Sequence, residues 1–367
     1  MKKIIICPDS FKGTLSSEEL CRIISEQLQK ADPEAEIITV PVADGGEGTV
    51  EAYLSALGGE KIFCTVKSPL GRDIRAYYGL LSDNKAVIEM AQASGVTIEK
   101  ENHALRCSTY GTGELIMHAL SKGVRDFIIG LGGSATTDGG TGMLSALGIK
   151  FLDENGDTVT PCGEALSKIA TADTSGLDKR LKECNITVLC DVVNPLYGKN
   201  GAAYVFSPQK GASEEDVRFL DEGLRNLAKV STATLGKDYS LISGAGAAGG
   251  TGFALVAFLG AELKKGIDVL LSLTDFEKIS ADADLVITGE GKLDRQSLMG
   301  KVPFFVAEKS KGKRVLALVG VSEITPEEAA ENGIAVIIET NPLHLPFEAI
   351  KDTAKEMLIE SCKNIII

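Results

Sequence analysis

Residues 3–40, KIIICPDSFKGTLSSEELCRIISEQLQKADPEAEIITV, decide the fold of this chain. Two short apolar runs, residues 3–7 and 37–42, flank residues 17–30, in which apolar side chains recur at helical spacing. Short β-branched runs bounded by turn residues are typical of buried strands, and strands that alternate with helical segments form parallel sheets. This stretch therefore predicts a strand, a helix and a second strand parallel to the first.

The same alternation continues along the chain. Further strands are predicted at residues 127–131, 186–191, 284–288, 315–319 and 335–339, and helices at residues 113–122, 214–230 and 303–311. This alternation is typical of α/β proteins with helices on both faces of a parallel sheet. Residues 60–91 differ, because three strand-like runs are joined by the turns Ser68-Pro69-Leu70-Gly71 and Asp83-Asn84, which indicates an antiparallel meander.

The order of these segments predicts two domains. Both ends of the chain have the plain strand–helix alternation, whereas the meander and the glycine-rich segments lie between them. We predict that residues 1–65 and 275–367 together form one discontinuous Rossmann-like or flavodoxin-like domain with a parallel sheet. Residues 66–274 would form an inserted mixed α/β domain that starts with the meander, and the active site would lie in the cleft between the two.

Composition excludes several classes of partner. The chain has 367 residues, 44% hydrophobic content and a net charge of −13, which disfavours binding to nucleic acid or to an anionic membrane surface. No segment approaches the roughly 18 apolar residues of a membrane span. The eight cysteines form no CxxC pair, which predicts a reduced, cytoplasmic protein without a zinc site.

Three related glycine turns precede predicted helices: DGGEG at residues 44–48, DGGTG at 138–142 and AGGTG at 248–252. Glycines at a helix start leave backbone N–H groups accessible, and the helix dipole favours an anion there. Asp44 and Asp138 could instead be helix caps in tight turns with no ligand. The Walker pattern is absent, and GAGAAG at residues 244–249 lacks the preceding strand that a dinucleotide site requires.

Polar segments follow several predicted strands, at the ends that line the ligand crevice of an open α/β sheet. They supply carboxylates and lysines, but no histidine and no reactive cysteine: Asp9, Asp44, Glu47, Asp138, Asp191, Glu290, Asp294, Lys12, Lys292 and Lys301. Phosphoryl transfer needs this combination, because a carboxylate accepts the proton of the attacking hydroxyl while lysine and Mg²⁺ neutralise phosphate charge. A glycosidase also uses paired carboxylates, but 5% aromatic residues and no Trp disfavour sugar binding. Lys12 could be a solvated loop residue, and Lys292 could belong to an ion-pair network with Glu290 and Asp294.

Six segments together resemble one family, the bacterial glycerate kinases of the first type. They are PDSFKGTLSS (8–17), PVADGGEGT (41–49), GLGGSATTDGG (130–140), FSPQKGAS (206–213), SGAGAAGG (243–250) and TGEGKLDRQSLMGKVP (288–303). The resemblance covers the whole chain in the family's order. It implies two α/β domains, one of them discontinuous, and phosphorylation of D-glycerate with ATP and Mg²⁺, most often at the 2-hydroxyl to give 2-phosphoglycerate.

Roles for individual residues follow from their chemistry. Asp191 and Glu290 are the candidates for the general base, and Lys12 and Lys292 are expected to meet phosphate or the glycerate carboxylate. The predicted substrate- and phosphate-binding residues are Asp9, Ser10, Asp44, Gly45, Gly46, Glu47, Gly132, Gly133, Ser134, Thr136, Thr137, Asp138, Gly246, Gly249 and Asp294. Asp44 and Asp138 are also candidates for Mg²⁺.

Alternatives to this function stay open at the level of the sequence. Phosphorylation could occur at the 3-hydroxyl, since the two hydroxyls are one carbon apart. A non-catalytic protein that binds a sugar acid would keep the glycine turns but would not need the lysines and carboxylates. A dehydrogenase is disfavoured, because the first strand is followed by Ser10-Phe11-Lys12-Gly13 and not by a dinucleotide turn. The protein is expected to act as a monomer or homodimer on small molecules only.

Overall fold

The computed structural model describes residues 1–43, 45–99 and 103–366. The chain divides into two compact units. The first comprises Met1–Ala43, Glu51–Gly58 and Ile267–Ile367, and the second comprises Asp44–Val50 and Gly59–Gly266. The division between the units falls at four places along the chain, and two of these lie within the helices Thr49–Leu57 and Gly266–Leu273.

The first unit contains a five-stranded sheet made from both ends of the chain. Its order is Val336–Glu339, Val315–Val319, Leu285–Gly289, Lys3–Pro8 and Glu36–Thr39, and every pairing is parallel. The predicted α/β class and the discontinuous parallel sheet are thus confirmed. The other elements of this unit are the strands Lys292–Leu293 and Val321–Ser322, the 3₁₀ helix Ser297–Met299 and the helices Ser17–Ala31, Phe276–Ser280, Val302–Lys309, Pro326–Glu331, Phe347–Ile350 and Ala354–Cys362.

The first helix shows why the N-terminal stretch folds as predicted. Ser16 and Glu19 form a capping box at its start, so two backbone N–H groups that the helix leaves unpaired are satisfied. Leu20, Ile24 and Leu28 form part of its buried face. This face packs into a core that includes the apolar side chains of the two central strands.

The second unit contains a six-stranded mixed sheet. Its order is Glu262–Lys264, Asn185–Leu189, Asp126–Gly130, Lys85–Glu89, Asp73–Leu81 and Gly59–Lys67. The first four strands are parallel and the last three form the predicted antiparallel meander, which is confirmed. The remaining elements are a two-stranded antiparallel sheet of Lys150–Leu152 and Thr171–Asp173, the helices Ala91–Ser94, Tyr110–Ser121, Thr141–Ala146, Ala202–Phe206, Glu214–Leu235 and Ala247–Leu259, and the 3₁₀ helices Gly163–Lys168, Lys179–Glu183 and Pro208–Lys210.

Two predicted strands are shorter in the structure. The strand predicted at residues 37–42 ends at Thr39, although Val40 still donates to the Ile6 carbonyl at 2.8 Å. The strand predicted at residues 186–191 ends at Leu189, so Asp191 lies two residues beyond it. Among the described helices, none combines the length and the hydropathy that a membrane span requires.

Candidate active site

Two predicted site residues of the first unit lie side by side because their strands are paired. Strand Lys3–Pro8 is parallel to Leu285–Gly289, with Pro8 opposite Gly289. The next residues are Asp9 and Glu290, and the Asp9 N–H donates to the Gly289 carbonyl at 2.8 Å. The same turn places Ser10, whose N–H donates to Asp9 Oδ1 at 2.7 Å, and exposes Lys12. The carboxyl ends of the central strands therefore bring two carboxylates to one edge.

Glu290 has the environment of a functional carboxylate. Only 6% of the residue is exposed, and among the described residues its Oε1 has no hydrogen-bond partner. Burial raises the pKa of Glu290 to about 7, and the charges of Asp9 and Asp294 add to the rise, whereas the Ser297 hydroxyl and Lys301 oppose it. A carboxylate that ionises near neutral pH and keeps one oxygen unpaired is suited to accept a proton.

Lys301, rather than Lys292, lies beside this carboxylate. Lys301 Nζ is 3.8 Å from Glu290 Oε2 and 3.5 Å from Asp294 Oδ1. Lys292 Nζ instead pairs with Glu323 Oε1 at 2.8 Å. Lys292 thus forms an ion pair, but with Glu323 and not with Glu290 or Asp294 as expected. A catalytic role for Lys292 stays a prediction.

Asp294 accepts hydrogen bonds from the backbone of the turn that follows it. Its Oδ1 accepts from the N–H of Gln296 at 2.9 Å and of Ser297 at 3.1 Å. Burial acts to raise the pKa of Asp294, but the Ser297 N–H, Lys301 and the Gln296 N–H together hold it below its usual value. Asp294 therefore stays ionised beside Glu290 and favours proton uptake there.

In the second unit, the turn at residues 138–142 packs against the turn at 248–252, and the turn at 44–48 packs against Gly132. Gly132 N–H donates to the Gly45 carbonyl, and Gly139 N–H donates to the Gly249 carbonyl, both at 2.9 Å. A Cβ atom on Gly249 would lie 2.1 Å from the Thr136 carbonyl oxygen. Close approach of backbones therefore already requires glycine at these positions, independently of any ligand.

Close approach of the backbone also explains glycine at two further predicted site positions. A Cβ atom on Gly132 would lie 2.4 Å from Gly46 Cα, and a Cβ atom on Gly246 would lie 2.3 Å from the Pro195 carbonyl oxygen. The glycine pattern alone is thus weaker support for anion binding than the sequence indicates.

The contacts of Asp138 favour its structural alternative. The side chain is fully buried, and its Oδ2 accepts from Thr109 N and Oγ1 at 2.8 Å and from Gly142 N at 3.1 Å. Its Oδ1 accepts from Gly140 N at 3.1 Å. The residue at the N-cap position is Gly140, so the expectation that Asp138 occupies it was wrong, although the carboxylate still binds the first helical turn. Burial raises the pKa of Asp138 despite these donors.

Other groups of the same loop remain available to a ligand. Among the described residues, the backbone N–H groups of Gly133, Ser134, Thr136, Thr137 and Asp138 have no acceptor. The last three of these residues are fully buried. Buried N–H groups are rarely left unpaired, so these donors require a bound ligand or water. They support the predicted anion-binding role of the loop better than its glycines do.

Lys210 is a candidate site residue that the sequence did not indicate. It ends the 3₁₀ helix Pro208–Lys210, is 3% exposed, and donates from Nζ to Ser134 Oγ at 2.8 Å and to the Thr136 carbonyl at 2.6 Å. Burial lowers the pKa of Lys210 to about 8, which the charge of Asp138 partly opposes. The one available signal was its position in the segment FSPQKGAS, which does not reveal whether a lysine is buried.

The remaining predicted residues are less enclosed or not described. Asp191 is exposed, and Gly266 N–H donates to its Oδ1 at 3.4 Å. Glu47 is exposed, and Asp44 lies outside the described residues. Within residues 1–43, 45–99 and 103–366, no group of three or more His, Cys, Asp and Glu side chains is placed to hold a metal ion.

Comparisons with known proteins give one consistent result. The family described as the glycerate kinase family matches residues 4–367. The chain is 44% identical to a glycerate kinase of Bacillus subtilis over 99% of this chain and 96% of that one. It is 48% identical to a glycerate 2-kinase of Escherichia coli over 87% and 85% of the two chains. A solved structure described as a glycerate kinase 2 from Salmonella typhimurium LT2 covers 99% of this chain and 97% of its own, with 42% identity and a TM-score of 0.86.

Proposed function

We propose that this chain, which belongs to the glycerate kinase family, transfers the terminal phosphoryl group of ATP to the 2-hydroxyl of D-glycerate, giving 2-phosphoglycerate and ADP. The observation that carries the chemistry is the buried carboxylate of Glu290 with its unpaired Oε1. The choice of the 2-hydroxyl follows the relative named a glycerate 2-kinase.

Glu290 is the general base in this proposal. Its ionised carboxylate accepts the hydroxyl proton of glycerate while the hydroxyl oxygen attacks the terminal phosphorus. The bond between that phosphorus and the bridging oxygen of ADP breaks, and ADP leaves with the electron pair. Lys301 lies 3.8 Å from Glu290 Oε2, so its charge is available to offset the negative charge at this edge.

The second unit binds oxyanions in the same proposal. The unpaired backbone N–H groups of Gly133, Ser134, Thr136 and Thr137 are donors for phosphate oxygens. Backbone donors fixed by the packing of the glycine turns need no rearrangement when the ligand binds. In this proposal these groups bind the oxyanions and Glu290 accepts the proton of the same reaction.

Magnesium fits the chemistry of the donors, although no cage of three carboxylates exists among the described residues. Mg²⁺ usually keeps several waters and takes one or two carboxylates together with phosphate oxygens, so it needs no preformed cage. Bound with ATP, it would neutralise phosphate charge. Asp44 stays the predicted carboxylate for it, because both oxygens of Asp138 already accept hydrogen bonds.

The product of the reaction tests the proposed function. We expect that the protein, ATP, Mg²⁺ and D-glycerate yield ADP and 2-phosphoglycerate, identified by phosphorus NMR. Formation of 3-phosphoglycerate would overturn the choice of hydroxyl. Binding of D-glycerate without ADP formation would overturn the kinase proposal in favour of a sugar-acid binding protein.

The pH dependence of the reaction tests the role of Glu290. Its pKa of about 7 means that the carboxylate is protonated, and unable to act as a base, at lower pH. We expect kcat/KM to fall by about tenfold for each pH unit below the pKa and to level off above it. Steady-state rates between pH 5.5 and 8, with stability checked at each pH, measure this, and a flat profile would contradict the assignment.

A further inference from the structure

A buried ammonium group lies against the loop that carries the unpaired N–H groups. Lys210 Nζ donates to Ser134 Oγ and to the Thr136 carbonyl, and no described carboxylate oxygen lies within 4.0 Å of it. A buried cation is costly because it loses its hydration, and the charge of Asp138, which forms no ion pair with Lys210, compensates this loss only in part. The low pKa of Lys210, about 8, has this cause. A negative group that binds nearby would compensate the charge.

The hydrogen bond from Lys210 also determines what the Ser134 hydroxyl can do. A serine hydroxyl has one proton to donate, and its oxygen here accepts from Nζ at 2.8 Å. That oxygen has no second partner among the described residues, and Ser134 is partly exposed. The Ser134 O–H is therefore free to donate to a ligand, and the ammonium group polarises it for that purpose.

Thr136 provides a second, independent indication of a ligand. Its side chain is fully buried, and Oγ1 has no hydrogen-bond partner among the described residues. Its carbonyl is the other acceptor of Lys210 Nζ, at 2.6 Å. Buried hydroxyls without a partner are uncommon and indicate an absent ligand or water. Lys210 thus holds the two residues of the loop whose hydroxyl groups lack an acceptor.

We propose that Lys210 is a positioning residue for an oxyanion subsite, in which it fixes Ser134 and Thr136 so that their hydroxyl groups bind a charged oxygen group of the ligand. The subsite takes a phosphate group of the nucleotide or the carboxylate of the hydroxy acid. This inference rests on the proposed function, because both oxyanions belong to its substrates. Lys210 acts through the loop and its buried charge, without touching the reacting atoms.

A double-mutant cycle tests the coupling between Lys210 and Ser134. Lys210→Met, Ser134→Ala and the double variant are titrated separately with ADP and with D-glycerate by calorimetry. We expect Lys210→Met to weaken the binding of one ligand by about 10- to 100-fold, the range for a lost hydrogen bond to a charged group. We expect the double variant to bind no more weakly than Lys210→Met alone, because the Ser134 hydroxyl loses its orientation with the ammonium.

Ser94→Ala is the matched control. Ser94 is a buried serine whose carbonyl accepts from Ala135 N–H of the same loop, and its hydroxyl pairs with Thr112 Oγ1 at 2.8 Å. This variant removes a hydroxyl without touching the proposed subsite, so ligand affinity should stay within about twofold of wild type. Lys210→Gln, which keeps an N–H donor without charge, is used if Lys210→Met does not fold, and it should weaken the same ligand.

The outcomes separate the possibilities. Weaker ADP binding alone identifies the oxyanion as phosphate, and weaker D-glycerate binding alone identifies it as carboxylate. Unchanged affinities with a lower melting temperature, or effects of Lys210 and Ser134 that simply add, would overturn the positioning role. A wild-type protein that binds ADP through these residues but phosphorylates nothing would overturn the proposed function and leave this inference standing.

Discussion

Glu290→Gln is expected to lower kcat by about 10²- to 10⁴-fold, the usual contribution of a general base. Gln has nearly the same shape and volume as Glu, so the position stays filled while the proton acceptor is removed. The reason for the large effect is that Glu290 combines 6% exposure with an unpaired Oε1 at the carboxyl end of a central strand. Rates measured with saturating ATP and D-glycerate separate this loss from any change in binding.

The same variant is expected to be at least as stable as wild type at pH 8. Burial raises the folded-state pKa of Glu290 to about 7, above its value in the unfolded chain. Between the two pKa values the folded state binds more protons, so the free energy of unfolding falls as pH rises through this range. Above pH 7 the ionised side chain costs on the order of 3 kcal/mol, because the pKa rises from 4.5 to about 7, and Gln avoids this cost. Urea denaturation at pH 8 and pH 5 should show the gain at pH 8 and little difference at pH 5.

Asp191→Asn is the matched control for the base assignment. Asp191 was the other candidate base, but it is exposed and lies two residues beyond its strand. An exposed side chain does not enclose the reacting groups as Glu290 does, so we expect the rate of Asp191→Asn to stay within about tenfold of wild type. A rate that falls several hundredfold for Asp191→Asn, together with a normal rate for Glu290→Gln, would assign the base to Asp191.

The fold was predictable because the β-branched runs are local signals. Strand Val315–Val319 begins and ends where its apolar run does, since a fully buried strand needs apolar residues on both faces. Strand Asn185–Leu189 ends two residues before the predicted end, although the Cys190 N–H still pairs with the Lys264 carbonyl. The ends of strands depend on backbone hydrogen bonds between neighbouring strands, and these cannot be read from the sequence.

For the candidate site, the sequence predicted which residues contribute but not their environment. The position of Glu290 after a strand is a sequence signal, but its burial, and the charges of Asp9 and Lys301 that act on its pKa, depend on which residues the fold brings together. Lys210 could not be recognised, because a lysine in a polar segment is usually solvated. The glycine turns are visible in the sequence, but the close backbone approach that requires glycine at Gly132 and Gly249 is not, and a ligand role for these turns stays a prediction.

Gly249→Ala tests this packing. Gly249 has φ of +66°, a conformation that L side chains rarely adopt, and an added Cβ atom would lie 2.1 Å from the Thr136 carbonyl oxygen and 2.6 Å from Thr137 Cα. Both neighbours are backbone atoms of the loop that binds Lys210, so no side-chain rotation relieves the overlap. We expect a destabilisation of about 3–5 kcal/mol, the upper range for single substitutions, measured by urea denaturation.

Gly236→Ala separates the two causes of that loss. Gly236 has φ of +73°, almost the same backbone conformation, and an added Cβ atom there would meet nothing within 4 Å. Its cost should be only the conformational strain of about 1 kcal/mol. The difference between the two variants is then the free energy of close approach between the turns, because the backbone term is common to both. Equal destabilisation would mean that the loop yields to the added methyl group, and the glycine pattern would again require a ligand to explain it.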